Sequence, residues 1–138
     1  MNYHEIVKQW YIKFGECCKS RDFESAIKLV SSDVCSFGTK VDIVTNLKDL
    51  QAQQWQNIWP YIDNFHFLVD KLIADGNNEL AWGITPWSSI GYDSEGNRFD
   101  RPGRATVILK KYNDVWLAIH THFSLIPGTP YNTYGIKE

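Results

Sequence analysis

Two imidazoles one residue apart, His120 and His122, stand inside the apolar run VWLAIHTHFS over residues 115–124. An imidazole can ligate a metal, carry a proton near neutral pH, or simply hydrogen-bond. A His-x-His pair supplies two metal ligands, and no acidic residue follows closely to give a third, so no metal is expected. The other reactive side chains are poorly matched to chemistry. Cys17 and Cys18 are adjacent on a helix, point in different directions, and have no obvious base beside them to make a thiolate nucleophile. The chain holds no Gly-rich phosphate loop, no Gly-x-Ser-x-Gly elbow and no His-Glu-x-x-His helix, and no cofactor is expected.

The bulk properties exclude several classes. The 138 residues suffice for one domain, taken as residues 1–138, and are too few for two ordinary ones. A net charge of −2 with no basic stripe gives nucleic-acid binding little electrostatic support. The N-terminal MNYHEIVKQW lacks the pattern of a secretory signal, and no apolar run is long enough for a bilayer, so no membrane association is expected. Three unspaced cysteines, the third being Cys35, fit reduced thiols in a cytoplasm better than a disulfide framework or a structural zinc site.

Hydrophobic spacing sets the elements that must position these groups. Ile6, Val7, Trp10, Tyr11, Phe14, Cys17 and Cys18 recur on one face of a helix over residues 3–19. Asp22 caps a short second helix, and Asn46 caps a third that stops near Pro60. Between them residues 34–37 read as a short strand. From residue 65 the period changes to two. Strands are expected over 65–74, 79–90, 104–112 and 115–126, with turns at 75–78 and at Asn113-Asp114, a polar loop over 92–103 and an irregular tail from Pro127. Pro86 argues for an edge or bulge in its strand. The expected class is α+β: three N-terminal helices packed on one face of a curved antiparallel sheet.

Strand parity then assigns the histidines. Along residues 115–124, Val115, Leu117, Ile119, Thr121 and Phe123 share one face, and Trp116, Ala118, His120, His122 and Ser124 the other. The first set is expected to cover the helices, leaving both imidazoles outward unless a bulge intervenes. An outward face with Trp116, Ile108, His120, His122 and Ser124 is too apolar for water. A homodimer through the outer sheet face is therefore expected, with Arg104 in an interface ion pair.

The segment GRATVILKKYNDVWLAIHTHFS, with RDFESAIKLVSSDVCSFGT upstream, resembles SnoaL-like domains of the nuclear transport factor 2-like (ketosteroid isomerase-like) superfamily. The resemblance covers nearly the whole chain. It implies a cone in which helices and curved sheet enclose one pocket, with subunits commonly paired through the sheet's outer face. Ungapped placement puts Phe37 where ketosteroid isomerase carries its carboxylate base and Phe14 where it carries its oxyanion-binding tyrosine, so the standard isomerase set is absent. Tyr11, one turn from Phe14, and Asp42, after the first strand where relatives often carry an acid, are the candidate catalytic groups. Inward arginines that hold small carboxylates in some kinase association domains fall at Ile84, Val107 and Phe123, so an anion pocket is not expected there.

These points combine into two expectations. The first is a pocket walled by Phe14, Phe37, Trp55, Trp59, Trp82 and Phe123 that binds a small, mostly apolar or aromatic molecule and supports an isomerisation, cyclisation or dehydration. The alternative is a non-enzymatic association module resembling that of calcium/calmodulin-dependent protein kinase II. A fold so widely shared cannot itself assign an activity.

Overall fold

A computed structural model describes residues 1–137 of the chain. Helix α1, Tyr3–Ser20, starts where Asn2 accepts a hydrogen bond from the Glu5 amide, and ends where Arg21 turns left-handed at φ 58°. Its buried face carries Val7, Trp10, Tyr11, Phe14, Gly15, Cys17 and Cys18. Each large side chain buried there contributes about 1.5–3 kcal/mol. Helix α2, Phe23–Ile27, is capped by Asp22. Helix α3 begins at Leu47 under an Asn46 cap and runs to Ile58, with a π turn over Gln51–Trp55 and a closing 3-10 turn over Trp59–Tyr61 that contains Pro60.

Among the described residues the sheet has seven strands: β1 Val30–Phe37, β2 Asp63–Phe67, β3 Ile73–Asn77, β4 Leu80–Tyr92, β5 Arg98–Asp100, β6 Gly103–Tyr112 and β7 Val115–Leu125. Their order is β1-β7-β6-β4-β2, and β3 and β5 also pair with β4. All pairs are antiparallel except β1 with β7. The β6–β7 hairpin closes through Asn113 at φ 57°, as the Asn-Asp pair predicts.

Three strand expectations need correction. The expected single strand over 65–74 is two, separated by a 3-10 turn at Val69–Lys71. Pro86 explains the break: it has no N–H to offer a neighbour, so the chain leaves the ladder at Leu68, whose amide donates to the Pro86 carbonyl. The expected turn at 75–78 lies further on, because β3 continues to Asn77 and the hairpin turns through Asn78 at φ 56°. The supposed loop over 92–103 contains β5, which pairs with the end of β4.

The helices and inner sheet face share one core of Val7, Trp10, Tyr11, Phe14, Trp55, Ile58, Trp59, Phe65, Trp87, Val107 and Leu109, among others. Gly83 lets α1 approach β4, since a Cβ there would collide with the Val7 side chain.

Candidate functional site

Aromatic rings crowd the interior between the helices and the sheet. Phe14 is the hub of its packing. Its ring stacks on Trp10 at 4.8 Å and meets Trp55 at 5.5 Å, Trp59 at 5.7 Å and Phe123 at 6.1 Å. Trp55 and Trp59 stack on each other at 5.0 Å, and Phe23 covers the outer side of Trp59. What remains is a cavity of about 30 Å³ lined by Phe14, Phe37, Gly38, Leu50, Gln54, Trp55, Trp59, Thr121 and Phe123. None of these side chains is ionisable. Phe14, Trp55, Trp59 and Phe123 fill this space with their rings; Phe37 borders it too, but its ring packs against His120 and His122.

The catalytic candidates stand apart from this space. Tyr11 is fully buried, and its hydroxyl donates to the Gly83 carbonyl at 2.9 Å. Burial pushes its pKa far above the ordinary phenol value, so the proton stays on oxygen. Its hydroxyl serves the α1–β4 contact. Asp42 lies in the loop after β1 with its side chain exposed, and it does not line the cavity. Trp82 is not a wall residue either. Ala81, Gly83, Thr85 and Trp87 take the inward positions of β4, which leaves Trp82 outward and 42% exposed. Ile84 is outward for the same reason.

A polar cluster that the sequence did not reveal lies beside Trp87. Arg101, between β5 and β6, is 1% exposed. Its backbone is clamped by Ser89, whose carbonyl accepts from the Arg101 amide and whose hydroxyl donates to the Arg101 carbonyl. Its guanidinium lies over the Trp87 ring at 5.7 Å and donates to Thr39 Oγ1 at 3.3 Å. Gln54 Nε2 donates to the same oxygen, and Gln54 Oε1 accepts from the Lys40 amide. The π turn explains why Gln54 reaches it: the widened turn turns both Gln54 and Trp55 inward, and both are buried. Arginine in a Gly- and Pro-containing polar stretch looks like any solvated loop residue, so no periodic signal could have singled out Arg101.

The other candidate is the outer sheet face. A bulge in β7 sets it: Ile108 pairs with His120 while Leu109 pairs with Ala118, so Ile119 is the extra residue. Parity reverses there. Thr121 and Phe123 face the core and His120, His122 and Ser124 face outward, as expected. Before the bulge the assignment inverts. Trp116 and Ala118 turn inward, and Trp116 meets Tyr3 of α1 edge-on at 6.3 Å. Trp116 is therefore not part of the outer face, and Val115, at 55% exposure, is.

Two rows cross this face. Asp75, Trp82, Ile108, His120 and Cys35 occupy successive strands β3, β4, β6, β7 and β1; Ile73, Ile84, Thr106, His122 and Phe37 form the next row. His120 Nδ1 bonds to the Cys35 carbonyl at 2.8 Å, as the donor. Phe37 meets both imidazoles edge-on at 5.1 Å. Partial burial first, then neighbouring His120 and Arg104, holds the His122 pKa below the usual imidazole value. Arg104 lies at the end of this face, where Nε donates to Ser124 Oγ at 2.9 Å. Among the described residues no group of three His, Cys, Asp or Glu could hold a metal ion. Among the described residues no helix is long and apolar enough to cross a membrane.

This architecture is that of the nuclear transport factor 2-like proteins, also described as a cystatin-like fold, and the chain has that fold. A nuclear transport factor 2-like superfamily protein from Salmonella enterica superposes with a TM-score of 0.77 at 12% identity, covering 93% of this chain and 94% of the other. A nuclear transport factor 2-like protein of unknown function from Pseudomonas putida gives 0.72 at 18% identity, covering 88% and 84%. The association domain of C. elegans CaMKII gives 0.62 at 12%, covering 80% and 86%. No family model matches the sequence, and no curated protein aligns with it significantly.

Proposed function

We propose that this chain is an association module in which two copies pair through the outer sheet face. One observation carries the reading: Trp82, Ile84 and Ile73 stand 40–60% exposed in two adjacent rows whose other members include Ile108 and Phe37. Scattered apolar residues are ordinary on a surface, but a contiguous patch of this kind is not. The patch has a tryptophan and aromatic centre and a polar rim, with Arg104 and Ser124 at one end and Asp75 and Lys110 at the other. A second copy fits best, because the rim carries both charge signs and two-fold pairing is the common closed arrangement. Ten residues of strand span about 33 Å and five strands about 19 Å. The face therefore offers on the order of 600 Å², close to the roughly 800 Å² per partner of a standard interface. The likeness to a domain named for association supports the same reading.

In this role His120 and His122 are interface residues. His120 ties β1 to β7, and both rings support Phe37. The small-molecule reading has weaker support. Ligand pockets of ordinary size hold about 300–1,000 Å³, whereas the interior cavity holds about 30 Å³. A flat aromatic guest would have to displace Trp55 or Trp59. An acid-base reaction there would lack its acid and its base. The buried free thiols of Cys17 and Cys18 suit a reducing cytoplasm.

Light scattering on the wild type and on Trp82→Asp tests the proposal. The wild type should run at twice 16.0 kDa, and the variant should be a monomer with an unchanged circular dichroism spectrum. A wild-type monomer at high micromolar concentration would overturn it.

A further inference from the structure

A groove runs between α1, the end of α2 and the tip of the β6–β7 hairpin, and neither the interior packing nor the proposed interface uses it. It holds about 380 Å³, within the roughly 300–1,000 Å³ of ordinary ligand sites. It shares no lining residue with the aromatic interior or with the two rows of the outer face. Its floor is apolar: Ile6 and Trp10 of α1, Leu29, and Trp116 of β7. Trp10 spends its indole N–H on the Leu29 carbonyl at 2.9 Å, so only ring carbon is left for a guest.

The rim carries charge in a fixed order. On α1, Glu5, Gln9 and Lys13 follow one another at steps of four residues, which puts the acid and the base about 12 Å apart along the helix. The helix macrodipole favours that order on α1 itself. It does not act on the opposite wall, which repeats the order. Asp114 belongs to the hairpin whose Trp116 meets Tyr3, in the first turn of α1. Lys28 precedes Leu29, whose carbonyl is held by Trp10 in the middle of α1. The groove therefore has an acidic end at Glu5 and Asp114 and a basic end at Lys13 and Lys28. All four side chains are exposed, and among the described residues the only ion pair joins Arg21 and Asp63, so none of the four is paired. Between the ends, Gln9 Nε2 donates to Glu5 Oε1, which leaves Gln9 Oε1 as an acceptor.

We propose that this groove binds a short apolar peptide as a zwitterion, with its terminal ammonium between Glu5 and Asp114 and its terminal carboxylate between Lys13 and Lys28. The length fits: three extended residues reach about 10–11 Å, close to the separation of the two ends. The pattern fits as well. In an extended chain the first and third side chains share one face, so apolar residues at those positions both meet the indole floor. The middle N–H is then within the span of Gln9 Oε1. A simple carboxylate would leave the acidic end unmatched, and a simple amine the basic end.

The indole N–H signals of the six tryptophans in a 15N-edited spectrum separate the candidate sites. Leu-Ala-Leu is titrated at low ionic strength, because salt screens exposed charges. The Trp10 and Trp116 signals should shift and saturate, while those of Trp55 and Trp59 in the interior and Trp82 on the outer face stay still. N-acetyl-Leu-Ala-Leu and Leu-Ala-Leu-amide, each lacking one charge, should bind about two- to fivefold more weakly. Gly-Gly-Gly should leave the indoles unmoved. Lys13→Met should weaken Leu-Ala-Leu by the same factor and leave the amide unaffected; Glu5→Gln should weaken Leu-Ala-Leu and leave the acetylated peptide unaffected. Both positions are exposed, so neither change threatens the core. Unmoved Trp10 and Trp116 signals, shifts confined to Trp55, Trp59 or Trp82, Gly-Gly-Gly matching Leu-Ala-Leu, or variants that affect all three leucine peptides alike would each overturn the site. Dimerisation through the outer face is read separately by light scattering and does not enter this result.

Discussion

The inside of the cone and the outside of its sheet use similar residues and leave them in opposite states. Inside, Phe14, Trp55, Trp59 and Phe123 pack ring on ring and leave about 30 Å³. Outside, Trp82 and Ile84 come from the same strand as the buried Trp87, yet stand 42% and 40% exposed. Strand parity alone separates them. A half-covered strand alternates apolar and polar residues, whereas β4 is apolar at Leu80, Trp82 and Ile84 on one side and at Ala81 and Trp87 on the other. Apolar residues on both sides mark a strand that is covered twice. The helices provide one cover here, and the second is the proposed partner subunit.

Substitutions on the two faces should therefore fail in different ways. Phe14→Ala removes the ring that touches four other aromatics and should cost about 3–5 kcal/mol of unfolding free energy, a large part of the about 5–15 kcal/mol typical of a domain. Urea denaturation measures it. A loss under about 1 kcal/mol would mean a loosely filled interior and would bring back the small-molecule pocket. Trp82→Ala should leave monomer stability within about 0.5 kcal/mol and weaken dimerisation at least 30-fold, about 2 kcal/mol. Sedimentation over a concentration series reads the second quantity. If both substitutions chiefly destabilise the monomer, the contrast between the faces is wrong.

The same contrast explains what could be read from sequence. The helical stripe of α1, the Asp22 and Asn46 caps and the Asn113 turn are local signals, and each is where the sequence predicts it. Trp116 departs from simple strand alternation because one extra residue at Ile119 reverses parity, and a bulge has no reliable local signature. Trp82 reads as a pocket wall because large aromatic side chains usually mark the interior. Register against β6 and β3, a long-range property, decided otherwise. Asp42 and Tyr11 are candidates through family placement alone. Such placement finds the position along the chain but cannot tell whether the loop is solvated or the hydroxyl is already engaged. Arg101 left no trace, since burial of a loop arginine depends on Ser89, Thr39 and Trp87 from three distant segments.

Tyr11→Phe sharpens the interior side of the comparison. The change keeps the ring and removes the donor to the Gly83 carbonyl. It should destabilise the fold by about 1–3 kcal/mol, because a buried carbonyl loses its partner. It should leave dimerisation unchanged. A variant as stable as the wild type would show that this hydroxyl is dispensable to the α1–β4 contact and free for another task.

The smallest effect lies on the outer face, at His122. Its folded pKa is held below the ordinary 6.5, through partial burial first and then through His120 and Arg104. Above about pH 6.5 the imidazole is neutral in both folded and unfolded chains and contributes nothing to pH dependence. As pH falls through that value, the unfolded chain takes up a proton that the folded chain resists. Stability therefore declines until the folded pKa is passed, and then levels off. Asp22, Asp33 and Asp93, whose carboxyl pKa values are lowered by hydrogen bonds, act only at more acidic pH. A partner covering His122 deepens its burial, so dimerisation should weaken in the same window, and more than monomer stability does. His122→Gln should flatten the dimerisation profile between about pH 5 and 8. A profile that keeps its slope in the variant would remove His122 from the interface and confine the apolar contact to Trp82, Ile84 and Ile108.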